Sequence, residues 1–170
     1  MAEVSYRRAR VGDAEFLLSL VTHEDVAPFL AAGRASDREA LLAEIERSEA
    51  EPEAFGRFVI EVDGQAAGSM RFERVNERSR IAQLGGLAVH PDFRGRRVAD
   101  EAARELIGHL VLELGFHRLQ LETYGFNERA MAHAERVGFT REGVKRRAYL
   151  YEGEWVDGVL FGLVQEDLDA

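Results

Sequence analysis

The stretch from Ile81 to Tyr124 constrains the fold more than any other part of the chain. IAQLGGLAV reads as an apolar strand that stops at His90-Pro91, because proline lacks the N–H a ladder needs. From Val98 onward, Ala99, Ala102, Ala103, Leu106, Leu110 and Leu114 recur at three- and four-residue steps, with Glu101, Arg104, Glu105 and Glu113 on the other side. That periodicity predicts an amphipathic helix packed on a sheet. After Gly115, HRLQLETY alternates as another strand. A strand, a helix and a strand in this order form a crossover, so the chain reads as a mixed αβ fold.

The loop inside that crossover, HPDFRGRRV, carries Arg94, Arg96 and Arg97 directly ahead of the helix. A helix N-terminus favours negative side chains, so three cations there point to an anion bound among them. Exposed backbone N–H groups at such a strand-to-helix turn bind phosphate. The stretch has neither a Walker lysine pattern nor GxGxxG, so the phosphate belongs to another kind of ligand.

Hairpins flank the crossover. Val4–Arg8 is a candidate strand; Asp13 is expected to cap a short helix carrying Phe16, Leu17 and Leu20. Ser36 with Glu39 makes a capping box ahead of Leu41, Leu42 and Ile45. RFVIEV and QAAGSMRF are joined by Asp63-Gly64, which supplies the positive φ angles of a two-residue turn. Asn127 to Val137 reads as a helix stopped by Gly138, and GVKRRAYLYEGEWVDGVLFGLV as two strands joined near Glu152-Gly153. No repeat or linker divides the 170 residues, which are expected to form one domain, 1–170.

Composition removes several functions. There is no cysteine, which excludes thiolate catalysis, disulfides and cysteine-based zinc sites, and fits a reducing cytoplasm. The five histidines, His23, His90, His109, His117 and His133, lack metal-ligand spacing, and no metal is expected. A formal net charge of -9 argues against nucleic acid as a partner. No apolar run approaches a membrane span, and the N-terminus lacks the apolar core of a signal peptide.

LGGLAVHPDF, followed by Arg94 and Ala99, resembles motif A of the GNAT superfamily of N-acetyltransferases, whose loop holds the pyrophosphate of acetyl-CoA. NERAMAHAERVGF, with Asn127 separated as expected from Gly138-Phe139, resembles motif B of the same superfamily. The terminal hairpin looks like that of the ribosomal-protein N-terminal acetyltransferase branch. The resemblance runs from about Ser5 to Leu168 with both motifs in order. It implies a central mixed, mostly antiparallel twisted sheet of about seven strands flanked by helices, with a splayed strand pair that binds the cofactor. Arg97 departs from the pattern, which has glycine there.

Residue by residue, the resemblance gives the pantetheine arm and thioester carbonyl to the backbone of Leu87, Ala88 and Val89. It gives the pyrophosphate to Arg94, Gly95, Arg96, Arg97, Val98 and Ala99, with Asn127 and Ala130 also at the cofactor. Asn127 serves equally as a plain helix N-cap. Many relatives have tyrosine where Ala134 stands, some have serine at Ala130, and several have a glutamate base at Gln83; this chain has none of the three. Substitutes are Glu122 and Tyr149 as catalytic groups, with Tyr124 and Tyr151 as further aromatic candidates, although each fits a surface carboxylate or packed aromatic as well. The THEDVAPFLAAGR segment would line the acceptor pocket, where Glu24 and Asp25, together with Glu73, would attract a cationic amine.

Acetyl transfer needs a neutral nitrogen, a stabilised oxyanion and a protonated leaving thiol. An α-amine, with a pKa near ~7.7–8.0, is partly neutral at physiological pH, whereas lysine, near ~10.4, is almost wholly charged. A site lacking an obvious base therefore leans towards α-amines or desolvated amines. The expected activity is direct acetyl transfer from acetyl-CoA to a primary amine, on a protein N-terminus or a small molecule. Gln83, Ala130 and Ala134 leave a non-catalytic acyl-CoA binding or sensing module as the alternative, and Arg97 leaves an interaction protein that has lost the cofactor. A homodimer is a family-level expectation.

Overall fold

A computed structural model describes residues 2–30 and 35–168. Among these residues seven strands and four α-helices follow one another as β1 (Val4–Arg8), α1 (Ala14–Val21), α2 (Arg38–Ala50), β2 (Phe55–Val62), β3 (Gln65–Asn76), β4 (Ile81–Val89), α3 (Val98–Gly108), β5 (Arg118–Tyr124), α4 (Glu128–Arg136), β6 (Thr140–Tyr151) and β7 (Glu154–Val164). The strands make one sheet in the order β1-β2-β3-β4-β5-β7-β6. Among the described residues only β4 and β5 run parallel; the other neighbours are antiparallel.

Alternation along the strands gives the sheet two buried faces. Phe58, Ile60, Met70, Phe72, Ala82, Leu119, Phe161 and Leu163 pack under α3 and α4 against Leu106, Ile107, Leu110 and Ala134. Val59 and Ala88 point the other way, against Leu17, Leu20, Leu41 and Ile45 of α1 and α2. Each fully buried Leu, Ile or Phe contributes roughly 1.5–3 kcal/mol over an exposed one, so these two layers hold the sheet between its helices.

The β2–β3 hairpin turns at Asp63-Gly64, with φ of 51° and 80°, as the type I′ geometry requires. Two caps fall elsewhere than expected. The α2 N-cap is Asp37 rather than Ser36, and its Oδ1 accepts the Ala40 N–H at 2.8 Å. Asp13 makes no side-chain cap to α1. Its carboxylate instead accepts two hydrogen bonds from the Arg7 guanidinium, at 2.8 and 2.9 Å, and one from the Arg10 N–H at 2.7 Å. A guanidinium fork matches a carboxylate better than one amide does, and Arg7 holds the Asp13 carboxyl below the usual range. Beyond Gly108 the α3 helix widens into a π-helical segment, His109–Glu113, before reaching β5.

Candidate active site

The parallel pair positions the site. β4 and β5 are in register only at Ile81–Arg118, Ala82–Leu119 and Gln83–Gln120. Beyond Gln83 the strands part, so Leu84 to Val89 have no neighbour on the β5 side, while Leu121 to Tyr124 pair with β7 alone. The splay expected from the resemblance is present, and Leu87, Ala88 and Val89 lie on its open edge. A bulge shapes that edge: Ser69 faces Ala88 and Arg71 faces Gly85, so Gly86 and Leu87 oppose the single residue Met70. Gly86 takes φ +61°, where a side chain would be strained, and a Cβ there would stand 3.0 Å from Arg57 Nη1.

The open edge runs into a cradle of N–H groups. After a turn in which the Arg94 N–H donates to Pro91 O, Gly95 has φ 80° and Arg97 φ 57°. Among the described residues no acceptor meets the N–H groups of Gly95, Arg96 and Arg97. Val98, Ala99 and Asp100 form the first turn of α3, whose N–H groups lack intrahelical partners, and no side chain caps it. Successive free amides around left-handed residues form an anion nest, reinforced here by the helix dipole. Arg97 occupies the left-handed conformation itself, which is the physical reason glycine suits that position.

The three arginines divide their work. Arg94 turns into the cleft and donates through Nη2 to the Asp25 carbonyl at 2.8 Å; burial and the nearby Arg129 push its guanidinium below its ordinary pKa. Arg96 lies over the Phe93 ring, 5.7 Å from its centroid, and Arg97 is exposed. Asp25, Phe29, Arg94, Phe126, Asn127, Glu128 and Arg129 line a cleft of about 400 Å³. The fold thus brings together Arg94 and Asn127, expected at the cofactor, with Asp25, expected at the acceptor. Asn127 caps α4, with Oδ1 accepting the Ala130 N–H at 3.2 Å, so its carbonyl fixes the helix and the rest of its amide faces the cleft.

From the cleft an aromatic chain leads across the sheet. Phe29 meets Phe126, Phe126 stacks on Tyr124 at 5.2 Å, and Tyr124 meets Tyr149 edge-on at 5.9 Å and Tyr151 at 5.4 Å. At its end the Tyr149 hydroxyl donates to Glu122 Oε1 at 2.5 Å, and Lys145 Nζ donates to Oε2 at 3.2 Å. The Glu122 hydrogen bond and burial raise the Tyr149 pKa. Both side chains lie over Gly158, where a Cβ would collide with them. Glu122 and Tyr149 are therefore one hydrogen-bonded unit.

Other expected residues lie outside this unit. Gln83 accepts from Gln120 at 2.9 Å, a neutral amide pair at the crotch of the fork. Ala134 is fully buried in the core and serves packing. Glu24 is exposed beside the cleft. Glu73 is held by Arg47 at 2.5 Å at the opposite end of β4 from Val89, so it is not brought to the cleft. Residues 31–34 of the acceptor segment lie outside the described residues. No group of three or more His, Cys, Asp or Glu that would hold a metal occurs among the described residues, and none of the described helices is long and apolar enough to cross a membrane.

The sequence reading missed Asp100. Nearly fully buried, its carboxylate accepts from Arg136 Nε at 2.8 Å and lies 2.6 Å from His133 Nδ1. Arg136, and after it His133, hold its pKa at about 2, while burial lowers that of His133. This triad pins the first turn of α3 to α4 and so fixes the nest. The signal was available: Asp100 falls on one helical stripe with the buried Ala103 and Ile107, and an acid on an apolar stripe calls for partners.

A forked sheet whose open edge ends in a nest of free amides defines a domain shaped to take a long, anionic ligand between two strands. The sequence pattern of the Acetyltransferase (GNAT) family matches residues 19–139, and the chain belongs to that family. It is 30% identical over 83 residues to an uncharacterized prophage-derived N-acetyltransferase of Bacillus subtilis, covering 49% of this chain and 47% of that one. It is 26% identical over 109 residues to the spermidine N(1)-acetyltransferase of Escherichia coli K12, covering 64% of this chain and 58% of that one. The chain thus spans about half to three-fifths of these relatives. The spermidine N-acetyltransferase of Vibrio cholerae, solved with CoA and spermine, has the same fold, with a TM-score of 0.86 at 18% identity over 98% of both chains.

Proposed function

We propose that this protein is an acetyl-CoA-dependent N-acetyltransferase that moves the acetyl group directly to a primary amine while both substrates are bound. The observation that carries the reading is the β4–β5 fork opening onto the uncapped N–H cradle of Gly95 to Asp100. The pyrophosphate lies in that cradle with Arg94 at its rim, and the pantetheine arm takes the open edge of β4 at Leu87 to Val89. Edge N–H groups fixed in place also stabilise the oxyanion, since their dipoles need no reorganisation as charge develops.

The amine nitrogen bonds to the thioester carbonyl carbon, the carbon–sulfur bond breaks, the thiolate takes a proton, and the new amide nitrogen loses one. Tyr149, whose hydroxyl keeps its proton beyond its ordinary range, donates towards the thiolate, and Glu122 receives the proton released from nitrogen. With the amide pair Gln83–Gln120 where a carboxylate base would stand, the site favours acceptors already partly neutral at physiological pH, namely α-amines.

Calorimetric titration with acetyl-CoA, run beside thiol release against free N-terminal peptides, amino acids, polyamines and aminoglycosides, tests the proposal. Binding with thiol release for an α-amine class is expected. Binding without release for any amine would leave a sensing module, and absence of binding would remove the cradle assignment.

A further inference from the structure

Under α1 and α2 the sheet carries a polar cluster that the proposed chemistry leaves unused. Arg57 of β2 is only 3% exposed. Its main chain is satisfied, the N–H by Ser48 Oγ at 3.0 Å and the carbonyl by the Ala9 N–H at 2.8 Å. Its guanidinium has no hydrogen-bond partner among the described residues, and its Nε is sealed from solvent. The side chain reaches across β3 to the β4 bulge, where the missing Cβ of Gly86 leaves room for Nη1.

Glu44 of α2 is the carboxylate that acts on both arginines, yet it hydrogen-bonds neither, and its own Oε2 is buried without a partner among the described residues. Arg71, opposite Arg57 in register, lies 3.5 Å from Glu44 through Nε without a hydrogen bond and 3.8 Å from Glu73. Glu73 is already held by Arg47 at 2.5 Å, and Arg47 also takes Glu51 at the rim. Ser69 is fully buried with its Oγ unpartnered; it pairs with Val59, which packs under α1 and α2, so the hydroxyl shares this face with both arginines. Arginine stays protonated at any physiological pH. A buried guanidinium and a buried carboxylate oxygen that both lack hydrogen bonds are costly even where their charges offset, and such groups persist where something pairs with them. Two guanidinium groups and a hydroxyl are the donors that converge there and Glu44 Oε2 is the free acceptor, so the complementary molecule carries both a planar oxyanion for an arginine fork and a cationic amine for Glu44.

We infer that Arg57, with Ser69 and Arg71 beside it, forms a carboxylate-binding subsite at the β4 bulge, so the acceptor is an amine that also carries a carboxylate, an amino-acid-type molecule rather than a polyamine. The position of the thioester beside this subsite rests on the acetyltransferase reading; recognition of the carboxylate does not. Glu44 Oε2 accepts from the ammonium group, and its charge disfavours an acid that lacks an amine, which suits a molecule bearing both.

The test uses the full chain saturated with CoA, titrated calorimetrically with free L-amino acids of several side-chain classes, each beside its C-terminal amide, and with spermidine. At least one free acid is expected to bind about tenfold or more tightly than its amide, the size of a charge-assisted hydrogen bond. Arg57→Gln should abolish that preference and Arg57→Lys should retain part of it, with CoA affinity unchanged in both. Ser69→Ala, a smaller change, should reduce the preference severalfold and stands in if Arg57→Gln does not fold. Equal binding of acid and amide, preference for spermidine, no binding by any probe, or a preference that survives these variants would each overturn the subsite. Thiol release in parallel samples with acetyl-CoA separates the two readings. An acid bound without release keeps the subsite and removes acetyl transfer, whereas release from amides or spermidine alone keeps transfer and removes the subsite.

Discussion

Arg97→Gly offers the cleanest test of the cradle geometry. Arg97 stands at the α3 N-cap with φ 57° and ψ 23° and makes no side-chain cap hydrogen bond. For an L-residue the left-handed region costs about 1–2 kcal/mol. Glycine removes that strain but brings about 0.5–1 kcal/mol of extra chain entropy to the unfolded state. Loss of a cation from the positive end of the helix adds a few tenths of a kcal/mol in favour of the variant. The net gain is about 0.5–1 kcal/mol, which for a chain of this size raises Tm by roughly 1–4 °C. Arg97→Ala separates strain from charge, because it removes the same cation and keeps the Cβ. Differential scanning calorimetry at low and high salt should place the glycine variant above the alanine variant, with a gap that salt does not close. An alanine variant as stable as the glycine variant would refute the argument from backbone strain.

Arg94→Ala should weaken acetyl-CoA binding about tenfold or more by calorimetry, since a charge-assisted contact contributes roughly 1.5–3 kcal/mol; unchanged affinity would displace the phosphate site. Tyr149→Phe should lower kcat about a hundredfold or more while leaving acetyl-CoA affinity in place, as expected for loss of a proton donor; an unchanged kcat would remove Tyr149 from the chemistry. Asp100 has a folded pKa of about 2 against 3.8 for the free group. The unfolded chain therefore binds the proton first, and the stabilisation of roughly 2 kcal/mol is complete above about pH 5 and lost as pH falls towards 2. His133, also depressed, adds a loss in the same direction on acidification. Asp100→Asn should be less stable than wild type at pH 7, and the difference should shrink as pH falls towards 2 in denaturant titrations. A difference independent of pH would contradict the ion-pair account.

What the sequence made legible was local. The Asp63-Gly64 turn and the run from Ile81 to Tyr124 are written in spacing and in residues with one dominant backbone preference, and the fold follows them. The α2 cap moved by one residue because Ser36 and Asp37 can both cap a helix. Contacts between distant positions left weaker traces. Asp100 meets His133 and Arg136 across 33 and 36 residues, and only its place on an apolar stripe marked it. Arg57 alternates with the inward-facing Val59, which signalled a buried side chain, but the absence of a partner becomes visible only when its neighbours on β3 and β4 are in place. Glu73 and Glu122 are both carboxylates on long strands; register alone decides that one lies on Arg47 and the other on Tyr149.

The fork also bears on how the molecule holds together. β1 to β4 and β5 to β7 share one backbone seam of three residue pairs, closed by the Gln83–Gln120 amides. Any ligand lying along the open edge touches both halves and acts as a removable extra strand, continuing the sheet where its own ladder stops. Occupancy then sets rigidity: the amide protons that Leu84 to Val89 turn to the open edge, and those of the first turn of α3, exchange freely in the empty protein and slow together on binding, so the order of the seam reports whether the site is filled.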